Sequence, residues 1–296
     1  MQNPMDTNIT TISTSALLFE MSFSVWTGRK QDKNATREVT NNKKAAKDAA
    51  SVTKYLMAGT DKLNKIVSFT QQVRQWVNEN TLPWSDTGVR LLPASQFVWF
   101  KDELNLKEQH YDALVQDFLN DYQTLVSAAA FKLGDMFNRS EYPDVRDITH
   151  KFGMAYSFSP VPTKGDFRVN MNNETVVELQ NKYEKYLEAK VNSAMRDAWD
   201  RLYDTLNHMS THLGVDEFGK KRKFHASTIE GATELCGLLT KFNITNDSKL
   251  EAMRKELENV LFGVDATEIK KREGAREELK SRVDELLGKF GEEFSF

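Results

Sequence analysis

Residues 97–136 read FVWFKDELNLKEQHYDALVQDFLNDYQTLVSAAAFKLGDM, and the spacing of their apolar side chains predicts the main feature of the fold. Apolar side chains recur there at steps of three, four or seven residues, which indicates a helix with one apolar stripe. At 1.5 Å per residue, this helix is about 60 Å long. Its stripe consists of Phe97, Phe100, Leu104, Tyr111, Leu114, Phe118, Tyr122, Leu125, Ala129, Leu133 and Met136.

A second stripe with the same spacing follows at residues 176–213. The two predicted helices have matched lengths, are separated by a short insert, and each needs a partner to cover its apolar face. We therefore expect an antiparallel helical hairpin, a stalk of the coiled-coil type in which each stripe covers the other. The second stripe consists of Val176, Leu179, Tyr183, Tyr186, Val191, Met195, Ala198, Leu202, Leu206, Met209 and Leu213.

Three short stretches have the alternation of β-strands. Residues 17–25 are apolar on one face and polar on the other, so one face is expected to be buried and the other exposed. The same alternation, continued by one residue, places Trp26 on the exposed face. Residues 152–158 alternate in the same way, and 167–171 have large apolar side chains spaced by two. We expect a small antiparallel sheet of three strands.

The composition favours a helix-dominated α+β fold. The chain has 296 residues, 40% of them hydrophobic, with only six prolines and fourteen glycines, which is more typical of long helices than of an all-β fold. Shorter helices are predicted at 43–55 and 61–78, and C-terminal helices at 228–242, 250–261 and 269–290. The predicted division is a disordered tail at 1–14, the sheet with its stalk at 15–214, a helical region at 215–290, and an acidic and aromatic tip at 291–296.

The sequence lacks the motifs of the commonest enzyme classes. It has no phosphate-binding glycine loop, dinucleotide fingerprint, nucleophile elbow or paired Cys-x-x-Cys ligands. The single Cys236 is expected to be a small buried hydrophobe. His208 and His212 could share a metal with Asp204, although an ordinary polar helix face explains them as well. We predict a protein that is not an enzyme and uses no cofactor or metal; since no apolar run could span a bilayer, we expect it in the cytoplasm.

Basic residues are concentrated in one part of an acidic chain. The whole chain has a formal net charge of −3, whereas residues 29–54 contain eight basic and three acidic side chains. Such a segment attracts a polyanion to one place, and nucleic acid is the obvious candidate; the alternative is a solvated, poorly ordered linker. The basic residues are Arg29, Lys30, Lys33, Arg37, Lys43, Lys44, Lys47 and Lys54. Further candidates are Lys164 and Arg168 beside the third strand, and the basic run Lys220, Lys221, Arg222 and Lys223.

The sequence given ends in FGEEFSF, at residues 290–296, which sets two carboxylates among three phenylalanines. An exposed tip of this composition suits docking into basic, apolar pockets of partner proteins; the alternative is that its rings fold back on the last helix. Such tips resemble those of single-stranded DNA-binding proteins, which recruit replication and transcription partners. The predicted partner-binding residues are Glu292, Glu293, Phe294 and Phe296.

The sequence also resembles a family of phage and bacterial proteins of unknown function. The resemblance covers about residues 17–171 and lies in Ser24-Val-Trp-Thr-Gly-Arg-Lys30, the long helical pair and the Tyr156-Ser-Phe158 strand. Members are often encoded beside MoxR-type AAA+ ATPases, which implies an ATPase partner. A branch in lytic podophages resembles single-stranded DNA-binding cofactors of the phage RNA polymerase, which implies a place in the host cytoplasm.

The leading hypothesis is a phage protein that binds single-stranded DNA with little sequence preference and recruits RNA polymerase or replication proteins. In it, Trp26 stacks on a base, the basic residues contact phosphates, and the C-terminal tip docks partners. The alternatives are a non-enzymatic adaptor of a MoxR-type AAA+ ATPase, and a virion or scaffolding protein. The oligomeric state is left open, with a homo-oligomer as one expectation.

Overall fold

The computed structural model describes residues 12–162, 173–272 and 274–293, and its helix-dominated α+β fold confirms the predicted class. The helices are α1 (Lys33–Asn42), α2 (Lys62–Asn80), α3 (Phe97–Leu133), α4 (Val145–Thr149), α5 (Asn173–Leu213), α6 (Ala226–Phe242), α7 (Ser248–Leu261), α8 (Ala266–Lys271) and α9 (Ala275–Glu293). The strands are β1 (Ala16–Ser24), β2 (Arg29–Gln31), β3 (Thr53–Tyr55), β4 (Leu82–Pro83), β5 (Arg90–Pro93) and β6 (Gly153–Pro160). No helix in these three ranges is long and apolar enough to cross a membrane.

The larger sheet has four strands in the order β4-β5-β1-β6, and the smaller one pairs β2 with β3. β1 and β6 are the first two predicted strands, and over most of their length partly buried residues alternate with exposed ones, as predicted. The third strand, predicted at 167–171, lies outside the described residues. The β4–β5 hairpin was not predicted, because two and four residues are too few to show alternation. Leu92 and Pro93 belong to β5 rather than to the start of a helix, and α3 begins at Phe97.

The described residues form two compact units, each with its own core. One unit comprises 12–20, 78–98 and the described part of 158–293; the other comprises 21–77 and 99–157. The core of the first unit is built mainly from α5, α6, α7 and α9, which places α5 with the C-terminal helices. A boundary at residue 214 would therefore divide one core.

The predicted pairing of the two long helices with each other is wrong. The α3 stripe, including Phe118 and Tyr122, is buried in the second unit with Ile66 of α2 and Ile148 of α4. The α5 stripe is buried in the first unit against α6 and α9. A stripe indicates that a helix has a covered face, but it carries no information on which helix covers it, and the matched lengths suggested the wrong partner.

Three local boundaries also differ from the prediction. Ile12 is buried in the first core, so the predicted disordered tail at 1–14 includes a core residue. Residues 43–55 are not a helix: α1 ends at Asn42, Lys44 has a positive φ of 50°, and the chain reaches β3 without a further helix. At the other end, α9 continues to Glu293, so the glycine at 291 does not end it.

Candidate nucleic-acid interface

The basic segment folds into a small module, residues 29–55, in which α1 lies between the paired strands β2 and β3. We call it the basic module. Asp32 caps α1, since one of its carboxylate oxygens accepts hydrogen bonds from the backbone N–H groups of Asn34 at 3.0 Å and Ala35 at 2.9 Å. Arg29, Lys30 and Gln31 pair with Tyr55, Lys54 and Thr53 in antiparallel register.

The stretch between α1 and β3 is fastened at both ends. The N–H of Ala45 donates to the carbonyl of Thr40 at 2.9 Å, just after the helix ends. At the far end the N–H of Val52 donates to Oγ1 of Thr36 at 2.9 Å, and the N–H of Asp32 donates to the carbonyl of Val52 at 2.9 Å. The basic segment is therefore a folded element, which removes the alternative of a poorly ordered linker.

Lys54 is the buried anchor of the basic module and is unavailable to a ligand. It is 6% exposed, and its Nζ lies 2.8 Å from Glu141 and 3.2 Å from Asp32 and donates to the carbonyl of Met136 at 2.6 Å. Burial by itself lowers the pKa of the Lys54 ammonium, but the hydrogen bonds and charges of the two carboxylates outweigh it and raise the pKa above 10.5. The hydrogen bond from Ala35, followed by Lys54 itself, lowers the pKa of Asp32 in spite of desolvation.

The other seven cations of the basic module are exposed. None of them forms an ion pair with a carboxylate in the part of the chain that the structure describes. The exposed carboxylates of the module are Glu38 and Asp48. Because Lys54 is neutralised internally, the excess positive charge lies on side chains that reach solvent. The exposed cations are Arg29, Lys30, Lys33, Arg37, Lys43, Lys44 and Lys47.

Tyr55 is an exposed aromatic residue that the sequence analysis missed. Its side chain is 58% exposed, and the Arg29 guanidinium carbon lies 5.2 Å from the centroid of its ring, in the range of a cation–π contact. In β3, Lys54 points into the protein and Tyr55 points out. A strand of three residues has no readable alternation, so the sequence held no clear signal for this ring.

The prediction of Trp26 as an exposed stacking residue is wrong. β1 ends at Ser24, so the strand alternation does not extend to Trp26, and the chain turns through Gly28, whose φ is +58°. The indole is partly buried in the second core, with its ring centroid 6.3 Å from that of Phe118 and 6.1 Å from that of Tyr122. Trp26 therefore stabilises the unit that carries the basic module.

The remaining predicted residues lie elsewhere. Lys164 and Arg168 are outside the described residues, as are Phe294 and Phe296; Glu292 and Glu293 fall in the last turn of α9. The basic run at 220–223 is exposed but belongs to the first unit, whereas the basic module belongs to the second. The seven cations from Arg29 to Lys47 thus belong to one module, on β2, on α1 and in the stretch that follows α1.

The residues considered for metal or thiol chemistry have ordinary surroundings. The ring centroids of His208 and His212 lie 4.2 Å apart. Nδ1 of His212 is 3.3 Å from the carbonyl oxygen of Lys223. Within the described ranges no group of three His, Cys, Asp or Glu side chains could hold a metal ion. Cys236 is buried as predicted, and desolvation raises the pKa of its thiol to about 11. Comparison of the chain with known protein families, curated proteins and solved structures gives no match.

Proposed function

We propose that this protein binds single-stranded DNA through the basic module, with little preference for sequence. The observation that carries the proposal is the combination of seven exposed cations, none in an ion pair among the described residues, with an exposed ring that already contacts one of them. Cations that neutralise phosphates supply affinity without reading bases, and aromatic rings accept any base face.

The exposed cations suit a polyanion because they lose little hydration free energy when they bind phosphates. Exposed lysine and arginine side chains exchange water and counterions for phosphates, whereas a cation already held by a carboxylate would first have to break that pair. Among the described residues, the ion pairs of the basic module are confined to Lys54, and Arg37 donates only to the neutral amide oxygen of Asn34. Each phosphate contact on a single strand adds about 0.7 to the slope of log affinity against log salt.

Tyr55 favours a single strand over a duplex. A base that stacks on a protein ring contributes about 1 to 3 kcal/mol, but the faces of paired bases are hidden in the duplex stack. Arg29 lies against the Tyr55 ring and can bind the phosphate next to the stacked base. The recruitment of RNA polymerase or replication proteins remains part of the proposal, and its support is the acidic and aromatic composition of residues 290–296.

The experiment compares two variants with equal loss of charge. In the first, Arg29, Lys30, Lys33 and Arg37 are replaced by glutamine; in the second, the exposed Lys101, Lys151, Lys249 and Lys255 are replaced. Fluorescence anisotropy of a labelled single-stranded oligonucleotide is measured for both over a series of salt concentrations.

We expect the first variant to bind more weakly and to lose up to about 2.8 in salt slope, since four contacts of about 0.7 each are removed. The second variant should keep nearly the full slope, because its charges lie outside the basic module. Equal slopes in the two variants would overturn the assignment of the site. Absence of single-strand binding by the wild-type protein would overturn the function and favour the adaptor of an AAA+ ATPase.

A further inference from the structure

A short turn in the first unit, residues 215–221, projects a phenylalanine into solvent. Val215 and Lys221 form an antiparallel bridge at its base. Within the turn, Oδ1 of Asp216 accepts hydrogen bonds from the N–H groups of Phe218 at 3.0 Å and Lys220 at 2.8 Å. Gly219 takes a φ of +76°, which a residue with a side chain rarely adopts. The turn is therefore held in one shape by hydrogen bonds among its own residues.

The base of this turn is fixed to the helices by Arg276 of α9. Its Nε donates to the carbonyl of Leu213 at 2.8 Å, and its Nη2 donates to the carbonyls of His212 and Arg222, each at 2.6 Å. One guanidinium thus joins the end of α5 to Arg222, the residue that follows the turn, and it satisfies carbonyls that the helix end would leave unpaired. A turn anchored on both sides loses little conformational entropy when a ligand binds to its tip.

The tip carries an exposed ring, with the exposed carboxylate of Glu217 before it and cations after it. Phe218 is 86% exposed, although a phenylalanine at a turn gains nothing in stability from standing in water. Lys220 and Lys223 are exposed and form no ion pair among the residues that the structure describes, while Lys221 pairs with Glu277 at 2.8 Å. An exposed ring with free cations two and five residues away matches a ligand that alternates flat apolar groups with negative charges.

We infer that the turn at 215–221, together with the two residues that follow it, is a second contact for single-stranded nucleic acid, in which a base stacks on Phe218 while Lys220 and Lys223 bind phosphates. The inference rests on the proposed function in its choice of ligand, but its residues lie in the other unit and are independent of the basic module. The protein would then have two separate stacking sites for single-stranded nucleic acid, one in each unit.

Photocrosslinking tests the two sites separately. A thymidine oligonucleotide containing 5-iodouracil is irradiated with the full-length protein, and the attached peptides are identified by mass spectrometry. The variants are Phe218→Ala, Tyr55→Ala and, as a matched control, Phe262→Ala, because Phe262 is also a phenylalanine in a turn and is 88% exposed. Each ring is exposed, so these substitutions leave the cores intact.

We expect crosslinks to Phe218 that persist in Tyr55→Ala, and an affinity about 5- to 150-fold lower in Phe218→Ala with no change in Phe262→Ala. Binding with crosslinks at Tyr55 but none in residues 215–223, and full affinity in Phe218→Ala, would overturn this inference and leave the proposed function intact. Crosslinks at Phe218 with none at Tyr55 would support the inference and overturn the basic module as the site. Lack of any binding would overturn both.

Discussion

Replacement of Lys54 by methionine should destabilise the basic module, because Lys54 neutralises two carboxylates from inside the protein. The side chains of Lys54, Asp32 and Glu141 are 5%, 10% and 16% exposed, so water cannot easily take the place of the ammonium. Methionine fills the space of the lysine stem but has no ammonium, so both carboxylates and the Met136 carbonyl lose the donor that Lys54 supplies. Removal of one partner from a fully buried pair costs about 3 to 5 kcal/mol; since Asp32 keeps its backbone hydrogen bonds, we expect about 2 to 4 kcal/mol here.

Hydrogen exchange of the α1 amides measures this loss where it occurs. A loss of about 2 to 4 kcal/mol corresponds to local opening that is about 30- to 1000-fold more frequent, which mass spectrometry detects as faster exchange in peptides covering residues 33–42. Lys62→Met is the matched control, since Lys62 also contacts two carboxylates, Asp117 at 2.7 Å and Asp121 at 2.6 Å, but both of these are more than half exposed. Exposed pairs contribute little, so exchange in α1 should be unchanged.

The same anchor predicts how the basic module responds to pH. The pKa of Lys54 in the folded protein is raised above 10.5, so its contribution is complete below 10.5 and is lost as the pH rises through the raised value. The pKa of Asp32 is lowered from 3.8, so its contribution is present above 3.8 and is lost as the pH falls through the lowered value.

For the exchange experiment, unchanged α1 exchange in Lys54→Met, or equal acceleration in Lys62→Met, would refute the role assigned to Lys54.

Three further predictions concern single side chains. Tyr55→Ala should lower single-strand affinity in anisotropy titrations by about 5- to 150-fold, the loss of one stacked base, while Tyr55→Phe should bind normally because the ring and its contact with Arg29 remain. Trp26→Ala should lower the free energy of unfolding in urea by about 1 to 3 kcal/mol, since the indole is partly buried against Phe118 and Tyr122, and a stable variant with impaired binding would contradict this. Cys236 should resist iodoacetamide in the native protein and react after denaturation, because its thiol is buried and its pKa is raised to about 11; rapid native labelling would contradict the buried assignment.

Periodicity predicted the elements of this fold better than their partners. The long helices α3 and α5, and the alternation of β1 and β6, follow from repeating patterns over eight residues or more, where a local signal accumulates. The pairing of the helices depends on long-range packing. The apolar stripes of α3 and α5 did not show whether each helix packs against the other or against the shorter helices α2, α6 and α9. The hairpin of β4 and β5 is too short for any period.

The candidate site was predicted in charge but not in geometry. Counting charges identified the basic segment, and its seven outer cations are all exposed. The same counting treated Lys54 as one more cation, whereas its carboxylate partner Glu141 is distant in the sequence. The choice of Trp26 over Tyr55 failed because the alternation was extended two residues beyond the end of β1, whereas the indole packs against the second core and Tyr55 is exposed.

The most direct test of the central claim is the affinity of the wild-type protein for matched single-stranded and duplex oligonucleotides, measured by fluorescence anisotropy at low and moderate salt. Binding through the basic module predicts tighter binding to the single strand and a steep fall in affinity as the salt concentration rises. Equal affinity for both forms would contradict the role of the exposed ring, and no binding at low salt would contradict the claim that the basic module is a nucleic-acid interface.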